Sequence, residues 1–406
     1  MFKMNKKIKG SKNLNVPNKR AQSQVYLNYA EHEEHLHKEN VPNLRFPEFS
    51  GEWEKTTIGK ILTIGNGRDY KHLTEGNIPV FGTGGYMLSV NEYLYDGESV
   101  FIGRKGTINK PFFFSGKFWT VDTLFYTHKF VDVLPYFVYG LFQRINWNNY
   151  NEASGVPSLS KSTIEKISIN VPIVEEQRKI ANLMSLLDDR IATQIKIIEK
   201  LESLIKGITD DVFCCNGNTP MVRFSSLYKD AGEGGTPSTS NPEYYEGGTI
   251  PFVKIDDLTA KYLVAHKDCI TEQGMQKSSA WLIPSGSVIY SNGATIGSIS
   301  INTYPICTKQ GILGIIPKDN VNVEYLYYLM TSVYFRKEIH RIITEGTMKT
   351  AYLKDINNIL CPIPDIDSQK LIANKLASIT EKIELEQQVL SLLQMQKKYL
   401  LSNLFI

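Results

Sequence analysis

The sequence predicts an α+β protein. Two tandem mixed α/β domains are expected, separated by a long antiparallel two-helix coiled coil, as a pseudo-two-fold internal repeat. Three observations predict it. Widely separated segments of the 406-residue chain recur in the same order. Short runs of β-branched and aromatic residues are divided by Gly, Asn and Pro. Two stretches carry sustained apolar heptads.

The repeat decides the architecture. "SVFIGRKGTIN" at 99–109 returns as "SVIYSNGATIG" at 287–297, and "IPVFG" at 78–82 as "IPFVK" at 250–254. "ASGVPSLSKSTIEKISINVPI" at 153–173 is answered by "TEGTMKTAYLKDINNILCPI" at 344–363, and "QRKIANLM" at 177–184 by "QKLIANKL" at 369–376. The chain is therefore two copies of one unit of about 190 residues, each with a Gly- and aromatic-rich front and a helical back.

Residues 1–40 read as a basic N-terminal tail with a possible short helix. Residues 1–20 hold seven Lys and Arg and no acid, which suits a solvated tail or a phosphate-binding arm. "EHEEHLHK" at 31–38 has neither HxxxH spacing nor further ligands, so it reads as a solvated helix face and not as a metal site. Residues 41–172 form the first domain. Its runs "SVFIG", "KPFFF" and "WTVDTLFYT" are strand signals bounded by turn residues, and 136–145 has helical spacing. Residues 173–215 form the first long helix. Residues 216–363 form the second domain, with strands at "SVIYS" and "ILGIIP" and helical spacing over 324–342. Residues 364–406 form the second long helix.

The seam of the first helix is Ile180, Met184, Leu187, Ile191, Gln194, Ile198, Leu201, Ile205, Ile208 and Val212. That of the second is Ile372, Leu376, Ile379, Ile383, Glu386, Leu390, Leu393, Lys397, Leu400 and Leu404. Alternating steps of four and three over about five heptads are a coiled-coil signal. Each helix starts after a Pro-containing segment, "NVPIVEEQ" or "CPIPDIDSQ". Two such helices, each preceded by a domain, pack most simply as an antiparallel pair spanning roughly 50 Å. Gln194 and Glu386 share a seam position. They are either tolerated polar residues or a device that fixes register.

Composition excludes several classes. With 42% hydrophobic and 11% aromatic residues the chain is globular. No apolar run reaches the roughly 18 residues of a membrane span. Five cysteines form no CxxC pair, which suits a reducing cytoplasm. A net charge of +3 allows only a one-sided basic face. There is no GxxxxGK[ST], HExxH or GxSxG and no Cys/His ligand set. "NPEYY" at 241–245 lacks the second Pro of a base-holding methyltransferase loop. "VFGTGGY" at 80–86 is followed by no helix to receive a phosphate. Two similar heads beside a helical spacer suggest a reader, not a catalyst.

The stretch 101–121 interleaves Arg104, Lys105, Lys110 and Lys117 with Phe112, Phe113, Phe114, Phe118 and Trp119, and holds no acid. That pattern suits phosphate and base contacts, although a hairpin with merely solvated cations has the same letters. The second copy puts Asn292 and Gly293 where the first has Arg104 and Lys105. Arg can grip guanine in bidentate fashion and Asn can grip adenine, so the two heads are expected to read different sequences. Candidate contacts are Arg68, Lys71, Arg104, Lys105, Lys110 and Lys117 in the first head. In the second they are Lys254, Lys277, Ser291, Asn292 and Lys309. Lys161 and Lys349, in matched loops before the helices, are expected to meet phosphate. Head centres roughly 50 Å apart correspond to about 15 base pairs of DNA at 3.4 Å each.

These features together resemble the specificity (S) subunit of type I restriction-modification systems. The resemblance covers nearly the whole chain. It rests on "GTGGYM", "EYLYDGESVFIGRKGTIN", "KFWTVDTLFY", "GGTPSTSNPEYYEGGTIPFVKIDDL" and the "P-I…EQ-R-K-I-A" helix start. It implies two target-recognition domains, each binding half of a bipartite double-stranded DNA site. It implies two methyltransferase (modification) subunits docked on the helices, and restriction subunits that translocate and cleave. It implies no active site, metal or cofactor in this chain, with S-adenosylmethionine, ATP and Mg expected in the partner subunits, and a cytoplasmic complex without a membrane. By analogy, 21–40 is a short extra helix. The Glu pair Glu175–Glu176 is displaced by two residues in "PDIDSQK", an inequality between the two helix starts. Two rival classes predict other features. A self-contained methyltransferase or nuclease requires cofactor or metal motifs, and a non-DNA coiled-coil scaffold requires DNA binding to be absent.

Overall fold

The computed structural model describes residues 40–213, 219–293, 295–343 and 349–406. The expected basic tail and the 21–40 helix lie outside the described residues, apart from residue 40. The chain divides into two compact units. The first holds the chain up to Asp188 together with Met395–Ile406, and the second is Asp189–Gln394.

In the first unit, β1 (Glu54–Thr57) leads into the short helix α1 (Ile58–Ile61) and then β2 (Thr63–Asn66), β3 (Glu75–Gly82), β4 (Gly85–Val90), β5 (Tyr95–Gly103), β6 (Phe112–Thr120) and β7 (Leu124–His128). Helices α2 (Pro135–Arg144) and α3 (Lys161–Glu165), strand β8 (Ser168–Val171) and the long helix α4 (Val174–Phe213) follow. A six-stranded sheet has the order β2-β7-β5-β6-β3-β4, and β1 pairs with β8. The core explains why these runs become strands. Val100, Phe101, Ile102, Phe118 and Leu124 are buried. Phe101 meets Phe112 and Phe118 with ring centroids 4.8 and 4.7 Å apart. Burying one such side chain stabilises the fold by roughly 1.5–3 kcal/mol.

In the second unit, β9 (Met221–Arg223) is followed by β10 (Tyr228–Glu233), β11 (Ile250–Val253), β12 (Tyr262–Leu263), β13 (Asp268–Ile270), α5 (Glu272–Gln276), β14 (Val288–Ser291), β15 (Ile299–Asn302), β16 (Cys307–Thr308) and β17 (Ile312–Pro317). Then come α6 (Val323–Thr331), α7 (Val333–Ile342), α8 (Leu353–Ile356), β18 (Leu360–Pro362) and α9 (Ile366–Leu404). The order β10-β17-β14-β15 repeats β2-β7-β5-β6, with β12 added at the edge. Strand β14 is buried on both faces. Val288 and Tyr290 join the cluster around α6, while Ile289 joins Val253, Ile283 and Ile312. The helical spacing over 324–342 belongs to two helices, not one. Ser332 is extended (φ −64°, ψ 156°), and its Oγ accepts from Phe335 N, so it ends α6 and caps α7.

The long helices α4 and α9 have 40 and 39 residues. Every expected seam position, from Ile180 to Val212 and from Ile372 to Leu404, is buried or half-buried. Within the second unit they run antiparallel. Gln194 lies against Glu386, while Ile208 and Val212 pack with Ile372 and Leu376. Gln194 Nε2 donates to the backbone O of Glu386 at 3.0 Å and also to its carboxylate. Lys382 pairs with that carboxylate and, with Gln194, holds it below the usual range. Polar seam partners this specific favour one register. Replacing both with Leu (Gln194→Leu with Glu386→Leu) should raise the melting temperature while broadening the inter-helix distance distribution in a spin-label measurement. An unchanged, narrow distribution would remove the register role.

Each long helix also clamps its own head. Gln177 is fully buried. Its Oε1 accepts from Leu134 N at 2.9 Å, and its Nε2 donates to Asp132 O and Pro172 O. Gln369 does the same with Asn322 N, Asn320 O and Pro364 O. Helix ends dock similarly. Phe405 stacks on Phe137 with centroids 5.3 Å apart in the first unit, and Phe213 meets Tyr325 at 5.4 Å in the second.

Candidate nucleic-acid interface

In the first head, the turn after β5 carries Arg104 and Lys105. The N–H groups of both donate to Thr123 O, at 2.8 and 3.3 Å. Arg104 O accepts from Leu159 N at 2.8 Å, and Gly106 N donates to Pro157 O. The turn is thus stitched to the β6–β7 connection and to the segment before α3. An open cavity of about 660 Å³ results, lined by Asn66, Arg104, Lys105, Thr123, Glu152 and Lys161 among others. The Arg104 guanidinium is exposed but held. Nη1 donates to Asp122 O at 3.3 Å, and its carbon lies 5.9 Å from the Phe125 ring centroid. A held fork keeps its remaining donors aimed outward. Lys161 is the first residue of α3, whose cap is Ser160 Oγ accepting from Thr163 N. Its 3.6 Å contact with Glu165 is a surface pair that leaves it available.

The structure brings Arg104, Lys105 and Lys161 together, and the other candidates lie elsewhere. Arg68 is exposed just beyond β2, with its N–H bound to Thr120 O. Lys71 lines a separate cavity with Tyr86 and Met87. Lys110 is exposed in the β5–β6 connection. Lys117 pairs opposite Asp96 at the start of β5, its ammonium 5.0 Å from the Tyr93 ring centroid. The aromatics interleaved with these cations are not a stacking platform for bases. Phe118 is fully buried and Trp119 nearly so, Phe112 and Phe114 pack on Phe81, and Phe113 packs on Tyr136.

The second head corrects two assignments. Ser291 and Asn292 are fully buried, so neither can touch a base edge. Asn292 Nδ2 donates to Ala351 O at 3.2 Å, and its backbone O accepts from Ala351 N at 2.9 Å. The position that displays Arg104 in one head ties down the α8 segment in the other. Lys254 is also engaged, in a 2.8 Å ion pair with Asp268. Lys277, Lys309 and Lys349 are exposed. The expected match of Lys161 with Lys349 holds for the segments but not for the residues. Leu159 and Ala351 make the equivalent bonds, which aligns Lys161 with Leu353. Beside it stands Lys354, exposed, 5.5 Å from the centroid of the exposed Tyr352 ring. Among the described residues no three His, Cys, Asp or Glu side chains group as a metal site, and no helix is long and apolar enough to cross a membrane.

Residues 50–203 and 221–395 each match the type I restriction modification DNA specificity domain. The chain belongs to this family. Among similar proteins is the MjaIX specificity subunit of a type I restriction enzyme of Methanocaldococcus jannaschii. It is 34% identical over 187 residues, which cover 44% of this chain and 42% of that one. The MjaVIII specificity subunit of the same organism is 25% identical over 342 residues, 77% of each chain. The chain thus matches under half of the first relative's length and about three quarters of the second's. In fold it is similar to the crystal structure of a type I restriction-modification S subunit from M. genitalium. The TM-score is 0.63 at 15% identity, covering 90% of this chain and 99% of that one. Each matched span takes in one head and most of the long helix that follows it.

Proposed function

We propose that this chain reads double-stranded DNA for a type I restriction-modification complex, each head recognising one half of a bipartite, asymmetric site. The observation that carries this reading is the open cavity of the first head, where Arg104, Lys105 and Lys161 converge on a preorganised frame. The second head keeps the frame but changes its side chains, as two unlike half-sites require. In this reading the paired helices set the unread spacer and dock two methyltransferase subunits. Exposed apolar residues off the seam of α9 support a docked partner: Leu385, Val389 and Leu392, spaced by four and three, are 51%, 36% and 61% exposed. Restriction subunits complete the complex. Methyl transfer and ATP-driven cleavage belong to the partners, which would hold S-adenosylmethionine, ATP and Mg²⁺. The complex is cytoplasmic.

The test is methylation-site mapping of DNA from cells expressing the chain with its methyltransferase. A split motif with unlike halves is expected, and exchanging residues 216–363 should change one half only. Absence of any split motif despite a stable complex would overturn the reading. Arg104→Ala should relax one position of one half-site, at a cost of about 1–3 kcal/mol for a base-edge contact. A uniform loss across sequences would reassign Arg104 to phosphate.

A further inference from the structure

We infer that Asn66 in the first head and Glu233 in the second are equivalent base-reading positions, Asn66 for adenine and Glu233 for the amino group of cytosine. The inference rests on the DNA-reading proposal and adds two residues to it.

The equivalence is one of backbone. Asn66 ends β2 opposite Phe125, and Glu233 ends β10 opposite Leu313. Phe125 and Leu313 are related by the same 188-residue offset as the repeated 99–109 stretch. The next residue is glycine in both, and it makes the same bond: Gly67 N to Leu124 O at 3.2 Å, Gly234 N to Ile312 O at 2.9 Å. Both glycines are forced by crowding. A Cβ would stand 1.8 Å from Val121 O at Gly67 and 2.1 Å from Thr308 O at Gly234. The neighbouring turn is also shared. Arg104 and Lys105 donate backbone N–H to Thr123 O, and Asn292 and Gly293 donate to Gly311 O. The two heads thus hold this strand end and this turn in one frame.

The side chains on that frame differ, and both are exposed. Asn66 lines the cavity with Arg104, Lys105 and Lys161, and its amide makes no hydrogen bond among the described residues. A primary amide offers a donor and an acceptor side by side, which matches adenine N7 and N6. Glu233 accepts from Gly311 N at 2.8 Å through Oε1, which aims the carboxylate, and among the described residues Oε2 has no hydrogen-bond partner. A carboxylate has only acceptors. It repels phosphate and is satisfied at a base edge only by a donor such as cytosine N4. In the second head Asn292 is turned inward, whereas Glu233 is exposed and bound through its carboxylate to Gly311, the residue that anchors the shared turn. A fixed frame carrying exchangeable, exposed, hydrogen-bonding side chains is the arrangement that two different half-sites need.

The experiment is selection from a randomised duplex library with the stable complex of the full-length chain and its methyltransferase, the chain being wild type or carrying Asn66→Ala or Glu233→Ala. Thermal melting of each variant checks its fold. Asn66→Ala should lose roughly 10- to 100-fold discrimination at one position of one half-site, and Glu233→Ala the same at one position of the other. Glu233→Gln, which adds a donor, should change the preferred base there. The salt dependence of binding should stay unchanged, since no phosphate contact is lost. If the wild-type chain selects a split site and both variants select it unchanged, the inference fails while the DNA-reading proposal stands. A uniform loss at all sequences by folded variants also overturns it. If the wild-type chain selects nothing, the DNA-reading proposal itself fails.

Discussion

Arg45→Ala is expected to destabilise the first unit by about 3–5 kcal/mol, the cost of stripping the partner from a buried charge. Glu176 is 1% exposed and the Arg45 side chain 14%. The pair is bidentate: Nε donates to Oε1 at 2.8 Å and Nη2 to Oε2 at 2.7 Å. Without the guanidinium, the carboxylate keeps, among the described residues, the Trp53 indole N–H alone, at 3.4 Å. Arg45 also donates to the backbone O of Gly51 and Ser50, so its loss frees the segment that packs on the start of α4. Glu176→Gln should cost less, because it removes the buried charge while keeping the shape. Arg45→Ala with Glu176→Leu should recover part of the loss, since no uncompensated charge remains. Urea unfolding followed by tryptophan fluorescence gives the ranking, with Trp53 beside the pair. A loss under about 1 kcal/mol for Arg45→Ala would place the pair among weak surface bridges. The pair also gives the unequal helix starts a physical account. Where α4 sends Glu176 to Arg45, α9 has Ser368, whose N–H and Oγ both bind Asp365 as a local cap.

Much of the fold was legible because its signals are local and periodic. A heptad must bury its seam wherever it packs, so α4 and α9 could be read residue by residue. The repeat fixed the matching strand order, since two copies of one ladder bury the same positions. The functional surface was legible only in part. The cations of "GRKG" sit on a turn, where side chains face out, and Arg104 and Lys105 do so. The phenylalanines of β6 obey strand alternation instead: Phe112, Phe114 and Phe118 share the face that packs on Phe81 and Phe101. Read with period two, they belong to the core. Asn292 was misassigned because its partner, Ala351, is 59 residues away, and no local pattern announces such a bond. Asn66 and Glu233 were hidden for another reason. The loops between them and the repeated turn differ in length, so their offset is not that of the aligned stretches.

Gln177→Ala and Gln369→Ala form the second pair with large effects, and their value lies in their separation. Each glutamine is almost fully buried and satisfies three backbone groups at once, one N–H and two carbonyls. Truncation leaves those groups without a partner in a site too enclosed for easy hydration. At about 1–3 kcal/mol per unsatisfied group, partly relieved by relaxation, a loss of roughly 3–5 kcal/mol is expected for each variant. Glutamate at either position should be at least as damaging, because it keeps the acceptor, loses both donors and buries a charge. The clamps belong to different units, Gln177 binding the loop before α2 and Gln369 the loop before α6. Hydrogen exchange should therefore quicken at Leu134 N–H in the first variant and at Asn322 N–H in the second, each leaving the other amide protected. For a two-headed reader, each variant should then weaken recognition of its own half-site first. Equal exchange at both amides in both variants would mean that the heads unfold as one cooperative body, and that no half can be weakened alone.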